Sequence, residues 1–488
     1  MALQTAQQAA KAPVAEEKDT VVETDRYIIT FSNIGGAIKE IRLKNFKEYK
    51  TIEPMKLAEI KNQADYILNI SSVNSGADLA LTPYTLSRSD DTITYSAQTR
   101  DWEITKRYIL HKTNYGIELQ LSIKNISGTA KGFNYRIVGG AGVTEHAPEN
   151  KRFIEATASI DGKMFGYRKP KAGRTINFGT VKWAALKNKY FSLILKPMAG
   201  SKGQFYSESA GGELVTGVDI DIASINPGTS VENQFVLYAG PSHVPTLKKF
   251  GHDFYEIVNY GWTDPISKAL IAVMRFFYSL FHSWGIAIIL LSIFLNIILF
   301  PLTMKSFQSM QKMQALHPQM EKLKKLHKDH PEKLNKEIME LYKKYKINPL
   351  SGCLPMLLQM PIFIALYEAL MKSVELRNTS FLWIRDLSSP DAVGIPITLP
   401  VIGNSIHILP LVMVAAMVVQ QKMSSRTMGG AVTEEQKQQQ KMMLILMPVM
   451  FGFIFYNMPS GLVMYWVINT SLTIVEQMAV MKNTAVEA

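Results

Sequence analysis

Ser292 and Asn296 lie four residues apart inside Trp284–Leu302, a run of nineteen residues without a single charge. Gln359 interrupts a second apolar stretch, Leu350–Met371, and Asn469, Thr470 and Thr473 interrupt a third, Met442–Met481. An amide or an alcohol without a neighbouring base does no acid–base or nucleophilic work. What these groups can do is hydrogen-bond where hydrocarbon offers no partner, and a neutral amide there costs free energy unless it is paired or wetted. Pairing between helices is one reading, worth about 0.6 kcal/mol on average; a hydrated cavity is the other. The i, i+4 spacing puts Ser292 and Asn296 on one helix face, and Asn469 and Thr473 on another. The expectation is that Ser292, Asn296, Gln359, Asn469 and Thr473 point into one wet groove, with Met360, Phe363, Tyr465 and Trp466 as its apolar flank.

The elements that carry them read as membrane helices. Nineteen uncharged residues are about what an α-helix needs to cross the hydrocarbon core. Leu350–Met371 and the shorter Ile406–Val419 follow, and the forty residues of Met442–Met481 hold two crossings with Asn457-Met458-Pro459-Ser460-Gly461 as the turn between them. The expected fold is a bundle of five spans after an N-terminal half of polar composition. The 47% of hydrophobic residues hides this, because it averages two different halves.

Basic residues orient the bundle. Eleven Lys lie between Lys305 and Lys346 against five acidic residues, and four basic residues lie in Lys422–Lys441. The loop Glu375–His407 has only Arg377 and Arg385. Short basic loops stay in the cytoplasm, so both basic segments are expected inside, the N-terminal half outside, and Lys482–Ala488 inside as a short tail. The net charge of +12 is thereby assigned to loops rather than to any nucleic-acid sequence. An exported domain needs an export signal, yet Met1–Lys18 has no apolar core. Residues 1–24 are expected to be a flexible linker that lacks a preceding signal-anchor span.

Residues 25–255 read as an extracytoplasmic all-β domain. Tyr27–Phe31, Thr92–Tyr95, Ile104–Leu110 and Ile117–Ile123 are short runs of β-branched and aromatic residues between Gly and Asn breaks. Many such strands make a large antiparallel sandwich. His111, His146 and Asp161 are scattered without a nucleophile motif, so a structural or docking role is expected rather than catalysis. Residues 256–283 contain a helix started by Thr263-Asp264-Pro265. Its apolar stripe Ile266, Leu270, Val273, Phe277, Leu280 and Trp284 suits the membrane interface.

The basic segment 304–346 is patterned as two amphipathic helices reversing at Asp329-His330-Pro331. Lys322, Lys324, Lys325 and Lys328 on its outer face are the expected contacts for a partner. His327 and His330 could ligate a metal, but two ligands without a third favour solvated turn residues, and no metal is expected. Twenty of the 25 Met lie after residue 300, which favours a greasy surface tolerant of many apolar partners. Acidic residues enter the spans only near their ends, at Glu368 and Glu476, and neither an inverted repeat nor a phosphate-binding loop is present. Ion-coupled transport and ATP hydrolysis are therefore not expected. The single Cys353 excludes a disulfide framework.

Several segments, in order, resemble the signatures of the YidC membrane protein insertases (the YidC/Oxa/Alb family). They are Trp284–Ile289, Phe300-Pro301-Leu302-Thr303, Asn348–Pro355, Gln359–Phe363, Ser373–Arg377 and Pro459-Ser460-Gly461-Leu462. Trp183–Phe191 and Tyr238-Ala239-Gly240-Pro241 resemble late strands of the family's outer domain. The resemblance implies a Gram-negative type with a periplasmic β-supersandwich in the inner membrane, and an insertase core over 284–481. It implies insertion and folding of nascent membrane proteins, alone or with the Sec translocon, with no cofactor and no enzymatic step. Ribosome and signal-recognition contacts are implied for the cytoplasmic hairpin. The family usually carries an Arg five residues before the Pro of Pro-Leu-Thr, where this chain has Asn296, so an electrostatic pull on acidic tails is in doubt while hydration is not. After the last span Lys482 is the only base, where some members have a basic tail. The competing reading is a chaperone or scaffold of Sec-type assemblies without insertion activity of its own.

Overall fold

A computed structural model describes residues 16–48, 51–72, 79–89, 92–144, 148–168, 179–198, 203–210, 213–327, 330–345, 347–348, 354–399, 403–427 and 434–486. The chain divides into two compact units, Met1–Val258 and Asn259–Ala488.

The first unit is built from antiparallel strands. A nine-stranded sheet runs in the spatial order Lys163–Tyr167, Glu155–Ile160, Val181–Lys187, Phe191–Pro197, Ser230–Pro241, Gly116–Asn125, Trp102–Leu110, Thr92–Gln98, Thr85–Ser89. One four-stranded sheet joins Asp19–Glu23, Tyr27–Ser32, Ala37–Lys47 and Pro54–Glu59; another joins Gly203–Ala210, Glu213–Ile225, Lys131–Gly140 and Ile70–Ser72. Period-two alternation puts Trp102, Ile104, Tyr108 and Leu110 on one buried face. Phe31 of one small sheet meets Tyr95 and Tyr108 of the large one. A side chain at Gly139 or Gly140 of the other would collide with Leu195 or Leu186. The sheets thus pack face to face around an aromatic core, as a sandwich requires. All four strands read from the sequence are present. Asp19–Glu23, assigned by composition to the linker, instead pairs in register with Glu23↔Ile28 and Val21↔Thr30, because its Val21-Val22 completes the sheet beside Tyr27–Ser32. Residues 1–15 of that expected linker lie outside the described residues.

Lys106 falls on the apolar stripe of its strand and is fully buried. Its ammonium donates to the carbonyls of Gly35 (2.7 Å) and Leu68 (2.8 Å). Burial without an opposing carboxylate holds its pKa well below the usual lysine value. Gly36 has φ +52°, and a Cβ there would strike Tyr95, so this turn requires glycine.

The second unit is helical. A short helix of the first unit, α1 (Val244–Phe250), precedes it. Then come α2 (Asp264–Phe281), α3 (Trp284–Ala315), α4 (His317–Leu326), α5 (Pro331–Lys344), α6 (Leu354–Lys372), α7 (Ile408–Thr427), α8 (Glu434–Phe455) and α9 (Ser460–Val486). One apolar core gathers Leu270 and Met274 of α2, Ile288 and Leu291 of α3, Leu366 and Leu370 of α6, Met413 of α7, Phe455 of α8 and Tyr465 of α9. Helix α2 packs most of the stripe its spacing indicates, with Leu270 in the core and Val273 and Phe277 against it. Ser267, Leu270, Ile271 and Met274 are buried, while Ile266 and Leu280 are exposed together with Phe276 and Phe281. Two polar contacts hold this face: Ser267 Oγ donates to Ala365 O of α6 (2.9 Å), and Arg275 Nε to Glu375 Oε1 (2.7 Å).

Among the described residues only α3 is by itself long and apolar enough to pass for a membrane span; α7 and α8 carry shorter apolar segments, Ile408–Ser424 and Leu444–Phe455. The third expected span differs at both ends. Ile406 and His407 belong to a strand, Gly403–His407, that pairs with Ala392–Leu399, and the helix runs for twenty residues from Ile408.

Candidate functional site: a polar seam between apolar helices

Asn296 and Asn469 meet across the contact of α3 and α9. Asn296 Nδ2 donates both protons, to Ser292 O one turn earlier (2.9 Å) and to Asn469 Oδ1 (2.7 Å). Asn296 Oδ1 and Asn469 Nδ2 make no bond to the described residues, and both side chains are half-buried. Each amide therefore keeps one polar group for water or a guest. Thr473 sits one turn beyond Asn469 and spends its hydroxyl on that residue's carbonyl (2.9 Å). Ser292 does the same with Ile288 O (2.8 Å) and is fully buried. Short hydroxyl side chains satisfy themselves on the preceding turn; the longer amides have to look outward. That rule sorts the four residues into two pairs.

Gln359 forms a second polar contact, apart from the first. Its Nε2 donates to the hydroxyl of Tyr465 on α9 at 2.5 Å, so Tyr465, expected on the apolar flank, supplies a polar group. The apolar flank itself is an aromatic cluster. Phe363 of α6 packs edge-on to Trp466 of α9 (5.0 Å between centroids) and lies 5.8 Å from Phe455 of α8, which is 5.2 Å from Trp466. Phe451 adds a fourth ring, 5.7 Å from Trp466. Met360 projects from α6 with 49% of its surface exposed. Phe451 and Phe455 were not singled out in the sequence; their i, i+4 spacing on α8 was the available signal.

Residues 19–273 match the YidC periplasmic domain family, and residues 276–487 match the 60Kd inner membrane protein family. A membrane protein insertase YidC of Geobacter metallireducens is 34% identical over 98% of this chain and 88% of its own length. That of Pelobacter propionicus is 34% identical over 98% of this chain and 90% of the relative, and that of Geotalea daltonii 33% over 96% and 87%. This chain belongs to the YidC membrane protein insertase family. The crystal structure of YidC from Thermotoga maritima aligns over 95% of this chain and 98% of that one, at 15% identity and a TM-score of 0.33. A putative aldose 1-epimerase from Escherichia coli K12 aligns over 46% of this chain and 99% of its own, at 10% identity and a TM-score of 0.33.

Membership in the YidC family agrees with a non-enzymatic protein of the bacterial inner membrane that carries a periplasmic domain. The basic segment of this YidC-family chain forms two helices, α4 and α5, held by Leu316, Tyr342 and Ile347, with Met313, Met320, Ile338 and Leu341 packed against them. Lys322 and Lys325 are exposed and Lys324 is half-exposed; Lys328 lies outside the described residues. His327 is buried rather than solvated, with Nε2 3.0 Å from Glu337 Oε1, because α5 folds back over the end of α4. Among the described residues no cluster of three metal-ligating side chains occurs.

Proposed function

We propose that this chain inserts nascent membrane proteins through a five-span core in which α3, α6, α7, α8 and α9 cross the bilayer, with the first unit in the periplasm and the α4–α5 hairpin and C-terminus in the cytoplasm. The observation that supports it is the amide pair Asn296–Asn469, which leaves one acceptor and one donor uncommitted among apolar helices. A few neutral polar groups and the water they hold lower the cost of moving a short hydrophilic tail. The apolar segment that follows partitions against Met360, Phe363, Phe455 and Trp466 and into lipid, and that partition drives the process without a cofactor. The lysines of α4 offer a cationic face to the ribosome or the signal-recognition apparatus, and action beside the Sec translocon belongs to the same reading.

The test is reconstitution into liposomes and insertion of a short single-span substrate with no other protein present. Insertion above protein-free vesicles supports the reading; folding assistance without insertion supports the chaperone instead. Cysteines at positions 296, 359 and 469, in a Cys353→Ser background, should react with water-soluble maleimide from the cytoplasmic side, whereas one at 292 should not. Three unreactive positions would mean simple helix packing.

A further inference from the structure

The segment between α6 and α7 contains a turn that breaks a local rule. Phe381 and Ile384 exchange two backbone hydrogen bonds of 2.9 Å each, so Leu382 and Trp383 form a two-residue loop. The first position of such a loop needs positive φ and normally holds glycine. Here it holds leucine, at φ +53°. Leu382 is 75% exposed; Trp383 is 47% exposed, with its indole N–H reaching Asp391 Oδ2 at 3.4 Å. Strain held at an exposed apolar residue points to something outside the chain.

The base of the turn fixes where that something lies. Ile384 and Leu387 are buried in the helical core, and the ring of Phe381 fills the space that Gly285 leaves at the start of α3. Ser460 Oγ, at the start of α9, donates to Ser389 O (2.7 Å) and Asp386 O (2.9 Å). Asp391 Oδ2 accepts from Leu409 N at the start of α7 (2.7 Å). The tip therefore stands at one common end of α3, α7 and α9. Arg385 beside it is exposed.

We infer that Leu382 and Trp383 are an interfacial anchor, inserted at the headgroup–acyl boundary of the outer leaflet with Arg385 among the phosphates. Trp and an aliphatic side chain next to a cation are the composition of membrane interfaces. Two side chains expose at most a few hundred Å², well short of the roughly 800 Å² a side that a stable protein interface buries, so a lipid surface fits where a protein partner does not. The inference rests on the reading that α3 spans the bilayer.

The test uses the full chain with Cys353→Ser in phosphatidylethanolamine–phosphatidylglycerol vesicles, carrying an environment-sensitive fluorophore on Leu382→Cys or, as reference, on Ile297→Cys of α3. At 382, quenching by lipids spin-labelled near the headgroup should exceed quenching by mid-chain labels, and aqueous iodide should have little effect, with no other protein present. Iodide quenching at 382 with lipid quenching at 297 overturns the anchor and leaves the span standing. Lipid quenching at neither site overturns both. Shielding that arises only on adding substrate or Sec translocon also overturns it, in favour of a protein contact. Leu382→Gly should raise the melting temperature in detergent, since it removes only the left-handed strain; a lower one would show that Leu382 serves internal packing.

Discussion

At the scale of single residues, the amide pair decides whether the seam is functional. Asn296→Leu removes a donor that serves both Ser292 O and Asn469 Oδ1, whereas an arginine there still donates to Asn469 and still holds water. Asn296→Leu should therefore slow insertion of substrates with polar tails several-fold, with Asn296→Arg close to the parent. Losing an interhelical hydrogen bond costs about 0.6 kcal/mol on average, too little to unfold the bundle, so melting temperature and insertion rate together separate the two effects. The i, i+4 pattern revealed which residues share a face. It could not reveal that Ser292 turns back onto its own helix while Asn296 reaches across, because that depends on side-chain length and on a neighbour 173 residues away. Lys106 went unread, although it is the one charge on the buried stripe Trp102–Leu110. Its pKa is held below that of the unfolded chain, so the folded protein binds fewer protons between the two values and its stability rises with pH there. The unfolding temperature of the outer domain should climb as pH approaches 10.4, and Lys106→Met should flatten that slope when melts are followed by the far-ultraviolet β signal.

At the scale of elements, helix existence followed from hydropathy and periodicity, and helix ends did not. The apolar run ending at Leu302 continues as helix to Ala315, because Met304–Ala315 has no breaker and its Met313 packs with Leu316, Tyr342 and Ile347. The hairpin expected over 304–346 is therefore α4 and α5 alone. Replacing residues 317–344 with a neutral flexible linker should abolish insertion in vesicles while leaving α3 intact, and parent-like insertion would count against a role for the hairpin. The strand pair Ala392–Leu399 and Gly403–His407 went unread because its partners lie within a loop that carries a proline, Pro396, in an apolar run. Similarly, the stripe on α2 gave the helix and most of its packed face, but not the partners that Ser267 and Arg275 find on and after α6.

For the molecule as a whole, division of labour follows from where the polar groups sit. The outer unit turns its buried Lys106, Tyr108 and Asn125 onto its own backbone carbonyls, whereas the amides of the helical unit are half-buried, with one group each left over. A chain without residues 19–258, given a substitute N-terminal span, should insert simple substrates at a rate within a few-fold of the parent in the same vesicle assay. A folded deletion variant with no activity would refute this. The cut falls at 258 rather than at the last strand because Leu247, Phe254 and Ile257 are buried in the outer unit.

Helix α3 is 32 residues long, about 48 Å at 1.5 Å per residue, against a hydrocarbon core of about 30 Å. It is a mast that carries Asn296 a little below its midpoint, at its thirteenth residue, and leads at its head into the α4–α5 pair. Pro301 sits in this helix where the apolar run gives way to Lys305; proline removes a backbone bond and loosens the turn before it. The mast thus has a bearing where its apolar stretch ends. A change of about 20° in such a kink sweeps the head of the arm above it, about 21 Å long, through about 7 Å while the foot stays still. A hinge there would let the α4–α5 pair swing while the Asn296–Asn469 contact stays in place.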